Sequence, residues 1–134
     1  MLSESRRLIS KGIVDKLIED KHAVRVIFPD KDNLTSAELP VLTSFAAGNS
    51  SYALPQIGDV VACIFESEDD DSGAGYVIGA FYDDKNPPKA KSVDITRIDF
   101  KDGSFIEFDR SKGNLTVNCT GDIKINGRRI YLNE

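Results

Sequence analysis

Apolar and polar residues alternate in short stretches along most of the chain, and the period of an amphipathic helix is nearly absent. Each stretch stops at a group of Gly, Pro, Asn or Asp residues, which is typical of strands joined by turns. In the first part of the chain this pattern predicts five strands, at residues 8–18, 24–28, 39–42, 60–65 and 75–81. The stretch 60–65 is apolar at every position, which predicts a strand buried on both faces.

These five strands leave no room for a substantial helix between them. Gly12 stands inside the first strand, where a bend or a bulge is easily accommodated. Residues 19–22, which include His22, are expected to close a hairpin between the first two strands. The acidic stretch 66–73 is expected to be a solvated loop, because like charges repel one another in a core. Together these features predict a small closed or nearly closed barrel, and an OB-type barrel fits them best.

The pattern changes at residues 82–91, where two prolines among polar residues predict an extended connector. Beyond it, 95–100 and 104–108 flank Lys101-Asp102-Gly103, which is a strong hairpin signal. Alternation then continues, with breaks at glycines, almost to the last residue. The predicted organisation is an OB-fold domain at 1–84 with an N-terminal extension at 1–7, a linker at 85–94 and a C-terminal segment of short β-strands at 95–134.

The C-terminal strands are short, and only one residue in two is apolar. A meander of this kind buries too little surface to be stable alone, so its apolar face has to be covered. Either the segment folds back on the barrel, or identical copies pack together around an axis. Because the alternating pattern runs to the end of the sequence, we expect identical copies.

Composition and charge exclude several classes of protein for this chain. The chain has 134 residues, is 40% hydrophobic and carries a net charge of −5, which suits one globular domain or one small domain with an appendage. No apolar run approaches the length of a membrane helix, and the N-terminus lacks the apolar core of a signal peptide, so synthesis in the cytoplasm is expected. Residues 1–84 carry 7 basic and 15 acidic side chains, whereas residues 85–134 carry 10 and 7. The acidic first part argues against nucleic acid as a partner.

The search for catalytic and metal-binding chemistry is negative. His22 is the only histidine and is expected to be an exposed turn residue, so a Ser/His/Asp triad has no good candidate. Cys63 and Cys119 stand at apolar positions and are expected to be core residues, and a zinc site needs more Cys and His than the chain has. The acidic stretch lacks the ligand spacing of a calcium loop. We therefore expect no enzyme activity, no cofactor and no metal ion.

The sequence contains a series of short motifs that resembles the one found in a known protein family. No single motif is specific, but their order and spacing together are. The series is GIV at 12–14, VRVIFPD at 24–30, ELPVL at 38–42, LPQIGDVV at 54–61, GYVIGA at 75–80, DGSFIEFD at 102–109 and GDIKING at 121–127. Over about residues 8–127 the chain resembles the baseplate assembly protein V family. Members of that family are the central spike proteins of contractile-tailed phages and phage-tail-like particles.

The resemblance implies an all-β protein with an N-terminal OB-fold barrel, followed by strands that intertwine from three chains into a trimeric β-helix or β-prism. It further implies a homotrimer in the baseplate of a virion or tail-like particle, on the tail axis below the tube. Its implied partners are the tube or hub protein above, wedge proteins around it and the target cell envelope on sheath contraction. The candidate residues of the trimer interface are apolar positions of the C-terminal segment: Ile106, Phe108, Leu115, Val117, Ile123, Ile125 and Ile130. Packing of the same residues against the barrel of their own chain is the alternative.

One departure from the family limits what the resemblance implies. Many relatives have a longer needle whose tip binds iron through paired histidines, and this chain has no histidine after His22. The spike is therefore expected to be short and blunt, or to be capped by a separate tip protein.

Two other functions stay open from the sequence. An OB-fold module that binds single-stranded nucleic acid or oligosaccharide would need exposed aromatic residues flanked by Lys or Arg. The available aromatic residues of the first part are Phe28, Phe45, Tyr52, Tyr76, Phe81 and Tyr82. A small hydrolase acting on peptidoglycan is the other possibility, and no motif supports it.

Overall fold

The computed structural model describes residues 8–66 and 74–134, and in this part of the chain it contains strands and short 3-10 turns but no α-helix. All pairs of named strands are antiparallel. The predicted all-β class is therefore confirmed. The predicted extension 1–7 and positions 67–73 of the predicted acidic loop lie outside the described residues.

The chain divides into two compact units between Pro87 and Pro88, within the range predicted as the linker. The first unit contains β1 (Ile9–Ile18), β2 (Ala23–Phe28), β3 (Leu34–Thr35), β4 (Leu39–Pro40), β5 (Val60–Phe65) and β6 (Gly75–Phe81), with 3-10 turns at Glu19–Lys21 and Pro29–Lys31. The second unit contains β7 (Ile95–Asp99), β8 (Phe105–Asp109) and β9 (Asn114–Asn118). Each of the five strands predicted in the first unit is present, and the two-residue strand β3 was not predicted.

The sheet of the first unit closes on itself. β1 pairs with β2 along one edge and with β5 along the other, β5 pairs with β6, and β2 pairs with β4. Directly after β4, Val41 forms a parallel bridge with Val77 of β6, and the Leu42 N–H donates to the Val77 carbonyl oxygen at 3.0 Å. The ring of pairings therefore runs β2-β1-β5-β6-β4 and returns to β2, which leaves an enclosed space for the core.

Branched aliphatic side chains fill the inside of this ring. The core residues are Val14, Val24, Val26, Phe28, Leu39, Val61, Cys63 and Val77. The prediction that Cys63 is a core residue is confirmed, and burial raises the pKa of its thiol to about 11, so it stays protonated at neutral pH. The buried Ser36 is satisfied, because its Oγ accepts from the Val26 N–H at 3.0 Å and donates to the Ala37 carbonyl at 2.7 Å.

Gly12 is required where β1 packs against β2. A Cβ atom at this position would collide with Cγ1 of Val26 and would lie 3.0 Å from Cε1 of Phe28. Both of these partners are core residues with little freedom to move. Gly79 in β6 is the opposite case, because a Cβ there would meet no atom within 4 Å.

The second unit is a three-stranded meander without an interior. The β7–β8 hairpin turns at the predicted place, with Gly103 at φ 96°, and β8 pairs with β9. None of the residues 88–134, all of which the structure describes, is buried. The alternation of the sequence continues beyond Asn118, but no strand forms there in the single chain.

Two expectations about single residues are wrong. His22 is half-buried, because its backbone adopts a left-handed conformation (φ 51°) that brings the ring against the chain after β4. Its Nδ1 lies 3.0 Å from the Val41 carbonyl oxygen, and its Nε2 lies 3.2 Å from that of Ala53. Cys119 is exposed, because it follows the outermost strand of the meander, where no second layer covers the chain.

The prediction for the apolar stretch 60–65 holds on one face only. Val61 and Cys63 point inward and are fully buried. Val60, Ala62 and Ile64 alternate with them on the outer face and are only half-buried. This outer face is consequently apolar and still accessible.

We expect Gly12→Ala to lower the free energy of unfolding by about 1–3 kcal/mol, because the added methyl group overpacks the core. Chemical denaturation of the purified protein, followed by circular dichroism, measures the change. Gly79→Ala is the matched control and should change stability by less than about 0.5 kcal/mol. Equal destabilisation by the two variants would show that the close approach of β1 and β2 is not the cause.

Candidate assembly interface

The pleat of the three-stranded sheet separates apolar from polar side chains. On one face the strand register aligns Thr96 and Ile98 of β7 with Phe108 and Ile106 of β8, and these with Leu115 and Val117 of β9. We refer to Ile98, Ile106, Phe108, Leu115 and Val117 as the apolar sheet face. Their exposed fractions range from 40% at Ile106 to 67% at Leu115, which is unusual for five neighbouring apolar side chains.

Four of the seven predicted interface residues belong to this face, namely Ile106, Phe108, Leu115 and Val117. The sequence analysis missed Ile98, because β7 and the residue after it carry apolar side chains in both phases of the alternation, at Ile95, Ile98 and Phe100. The hairpin signal could have identified it. A turn centred on Asp102 places residue 98 opposite residue 106, as the structure does.

The other three predicted interface residues lie in the segment after β9. Ile123, Ile125 and Ile130 are 53%, 68% and 52% exposed, and no strand pairing joins them to the sheet. Residues 119–134 therefore extend the apolar pattern of the sequence beyond the sheet without burying any of it in the single chain.

The opposite face of the sheet is made hydrophilic by a charge network. Arg97 donates to Glu107 at 2.7 Å across the β7–β8 pair and to Asp99 at 2.9 Å, and its guanidinium lies 3.9 Å from the centre of the Phe105 ring. The hydrogen bonds to Glu107 and Asp99 raise the pKa of Arg97. Such a face is suited to water, whereas the apolar sheet face is suited to a protein surface.

A set of hydrogen bonds fixes the start of the C-terminal segment to the β7–β8 turn. The carboxylate of Asp102 accepts from the Ser104 N–H at 2.9 Å and from the Thr120 hydroxyl at 2.9 Å. The Thr120 N–H in turn donates to the Ser104 hydroxyl at 3.1 Å. The bonds from Ser104 and Thr120 lower the pKa of Asp102. We call this arrangement the Asp102 clamp; it sets the direction in which the segment leaves the sheet.

Comparison with known proteins does not assign a function. No protein-family model matches the chain, and no curated protein matches it in sequence. Within residues 8–66 and 74–134, no group of three His, Cys, Asp or Glu side chains is placed to hold a metal ion. No helix in these ranges is long and apolar enough to cross a membrane. The apolar sheet face and the segment that follows it are therefore the features of the described residues that bear on function.

The Asp102 clamp predicts a pH dependence. Because its hydrogen bonds lower the native pKa below the unfolded value of about 3.9, the clamp is fully effective above that pH. It weakens as the pH falls through the lowered native value and the carboxylate takes up a proton. We expect the NMR signal of the Thr120 amide to shift in this acidic range and to stay constant between pH 5 and pH 8.

The same clamp is tested by substitution at neutral pH. Asp102→Ala should accelerate amide hydrogen exchange several-fold at Ser104, because its N–H loses its acceptor. Exchange at Thr120 should also rise, because the loss of its hydroxyl bond to Asp102 loosens the residue, although its N–H can still donate to the Ser104 hydroxyl. Asp122→Ala is the matched control, since the Asp122 carboxylate forms no hydrogen bond or ion pair with the described residues, and it should leave both amides unchanged. Unchanged exchange in Asp102→Ala would show that the segment is positioned by other contacts.

Proposed function

We propose that this chain is a structural protein, a homotrimeric baseplate hub and central spike of a contractile tail or injection particle, of the baseplate assembly protein V type. The observation that carries the proposal is the unburied apolar pattern of the second unit. It begins on the apolar sheet face and continues through Ile123, Ile125 and Ile130. A spike made of three intertwined chains needs this pattern, because its only core lies on the shared axis.

The strand order of the first unit supports an OB-fold barrel. In an OB fold the first strand pairs with the second and the fourth, and the ring is closed by a parallel contact between the third and the fifth. Here β1 pairs with β2 and β5, and the parallel contact joins Val41, next to β4, to Val77 of β6. Counting β4, β5 and β6 as the third, fourth and fifth strands gives the same arrangement.

The energetics of the second unit favour association. Fully burying an aliphatic or aromatic side chain stabilises by about 1.5–3 kcal/mol, so covering five half-exposed ones contributes several kcal/mol per chain. Three copies would also cover the free edges of β7 and β9, which end the sheet on either side in the single chain. The charge network around Arg97 would then face the solvent. A closed prism of this kind resists bending, which suits a part that is pushed through a cell envelope.

The remaining partners follow from this position in a particle. The proposal places the trimer below the tail tube or hub protein, with wedge proteins around it and a separate tip protein at its end. It would function in the virion or tail-like particle after synthesis in the host cytoplasm. Binding of single-stranded nucleic acid or oligosaccharide is the alternative. It has one supporting feature, the exposed Phe81 ring beside the Lys11 ammonium, and we rank it second because residues 1–84 carry 15 acidic and only 7 basic side chains.

Two single lysine substitutions in β9, one on each face of the strand, test the trimer. Leu115→Lys puts an ammonium on the apolar sheet face and should give a monomer at micromolar concentration, because an unpaired charge is not tolerated in an axial core. Thr116→Lys is the matched control: its neighbour across the strands on the polar face is Glu107, so the trimer should persist. Light scattering coupled to gel filtration measures both masses.

Two results would contradict the proposal. One is a stable wild-type monomer at micromolar concentration, and the other is a trimer that is unaffected by Leu115→Lys. Cutting the chain after Lys91 supplies a second measurement, since the first unit keeps its own core and should remain folded as a monomer. If the chain cut after Lys91 is still trimeric, the first unit and not the second would contain the trimer interface.

A further inference from the structure

The outer surface of β1, β5 and β6 is apolar, although the solvent side of an antiparallel sheet is normally polar. The strand register arranges this surface in three rows, which are Ile9–Ile64–Tyr76, Lys11–Ala62–Gly79 and Ile13–Val60–Phe81. We call these nine residues the outer barrel face. Ile9, Ile13 and Phe81 are 63%, 37% and 47% exposed. The outer barrel face thus explains why the sequence of β5 has the pattern of a strand covered on both sides, although its outer side chains are only half-buried.

The middle row forms the floor of a shallow trough. Ala62 and Gly79 are the smallest residues of the nine, and a Cβ atom on Gly79 would meet nothing within 4 Å. Larger apolar side chains rise on both sides of this row. Lys11 starts at the β1 end of this row, and its side chain extends across β5 towards β6, where Nζ lies 4.7 Å from the centre of the Phe81 ring. The trough therefore offers apolar walls together with one positive charge.

The charge decides what kind of surface fits this face. Lys11 is the one charged side chain among the nine residues, and it forms no ion pair with any residue that the structure describes. Covering it with a purely apolar surface would leave an unpaired ammonium out of water, which is strongly unfavourable. A second copy docked through the same face would bring Lys11 near its equivalent and would supply no carboxylate. A partner that covers this face therefore needs a negative charge to pair with the Lys11 ammonium.

We propose that the outer barrel face binds a partner protein through a segment in which apolar side chains flank a carboxylate. The apolar side chains fill the trough over Ala62 and Gly79, and the carboxylate pairs with Lys11. The carboxylate is what distinguishes this partner from a purely apolar segment, because only the former supplies a charge that pairs with Lys11. This proposal does not depend on the proposed function and can fail or succeed separately from it.

The experiment uses the full-length protein and a library of random dodecapeptides displayed on phage. Peptides selected on the wild-type protein should be enriched in Asp or Glu with apolar neighbours. A synthetic peptide of the selected consensus should bind Lys11→Glu and Gly79→Val at least about ten-fold more weakly, through lost charge pairing and a filled trough respectively. Lys16→Glu carries the same charge change on the same strand, outside the three rows, and should bind normally. Replacing the peptide carboxylate by Lys should restore binding to Lys11→Glu.

The other outcomes each overturn the proposal. A selected pool without carboxylates, or a peptide indifferent to Lys11→Glu and Gly79→Val, would show that this face does not bind such a segment. A change in the oligomeric mass of Lys11→Glu by light scattering would assign the face to a second copy instead. Binding of a labelled oligothymidine that is lost in Lys11→Glu and in Phe81→Ala would assign it to single-stranded nucleic acid. Because Gly79→Val fills open space, its folding can be checked by the same denaturation measurement as Gly79→Ala.

Discussion

The pleat of the β-strand is the constraint on which this protein depends. Successive side chains point to opposite faces, so one apolar residue in two gives each sheet one apolar face that has to be covered. The first unit covers its own face by closing the ring through Val41 and Val77, which encloses Val14, Val61 and the other core residues. The second unit has three strands and no closing contact, so its apolar sheet face stays open. The first unit thus buries its apolar face within one chain, whereas the second unit leaves its apolar face exposed.

Much of the fold could be predicted because it depends on this alternation. β1, β2, β5 and β6 are long enough for the pattern to be unmistakable, and the Lys101-Asp102-Gly103 turn fixes the register of β7 and β8. β3 was not predicted, since a strand of two residues is too short to show alternation of apolar and polar residues. The parallel contact of Val41 with Val77 joins residues far apart in sequence, and no local pattern reports such a contact.

The errors at single residues have equally physical causes. The backbone of His22 has a positive φ, which is uncommon for residues other than glycine, and this conformation turns the ring towards Val41 instead of the solvent. Cys119 follows Leu115 and Val117 at every second position, so the alternation assigns it to the apolar face. The alternation does not show whether other residues cover that face. Ile98 belongs to the candidate site although Ile95, in the opposite phase of the alternation, competes with it in the pattern. For His22 and Cys119 the missing information is three-dimensional, whereas Ile98 could have been found from the position of the hairpin turn.

Charge distinguishes the two exposed apolar faces of the protein and the partners that suit them. The apolar sheet face contains no charged side chain, so copies of the same face can cover one another around an axis without burying a charge. The outer barrel face contains Lys11, and identical copies would bring like charges together there. This difference is the reason why we propose self-association for the first face and an acidic partner for the second. Arg97 lies on the opposite, polar side of its sheet, where it pairs with Glu107 and Asp99 and leaves the apolar sheet face free of charge.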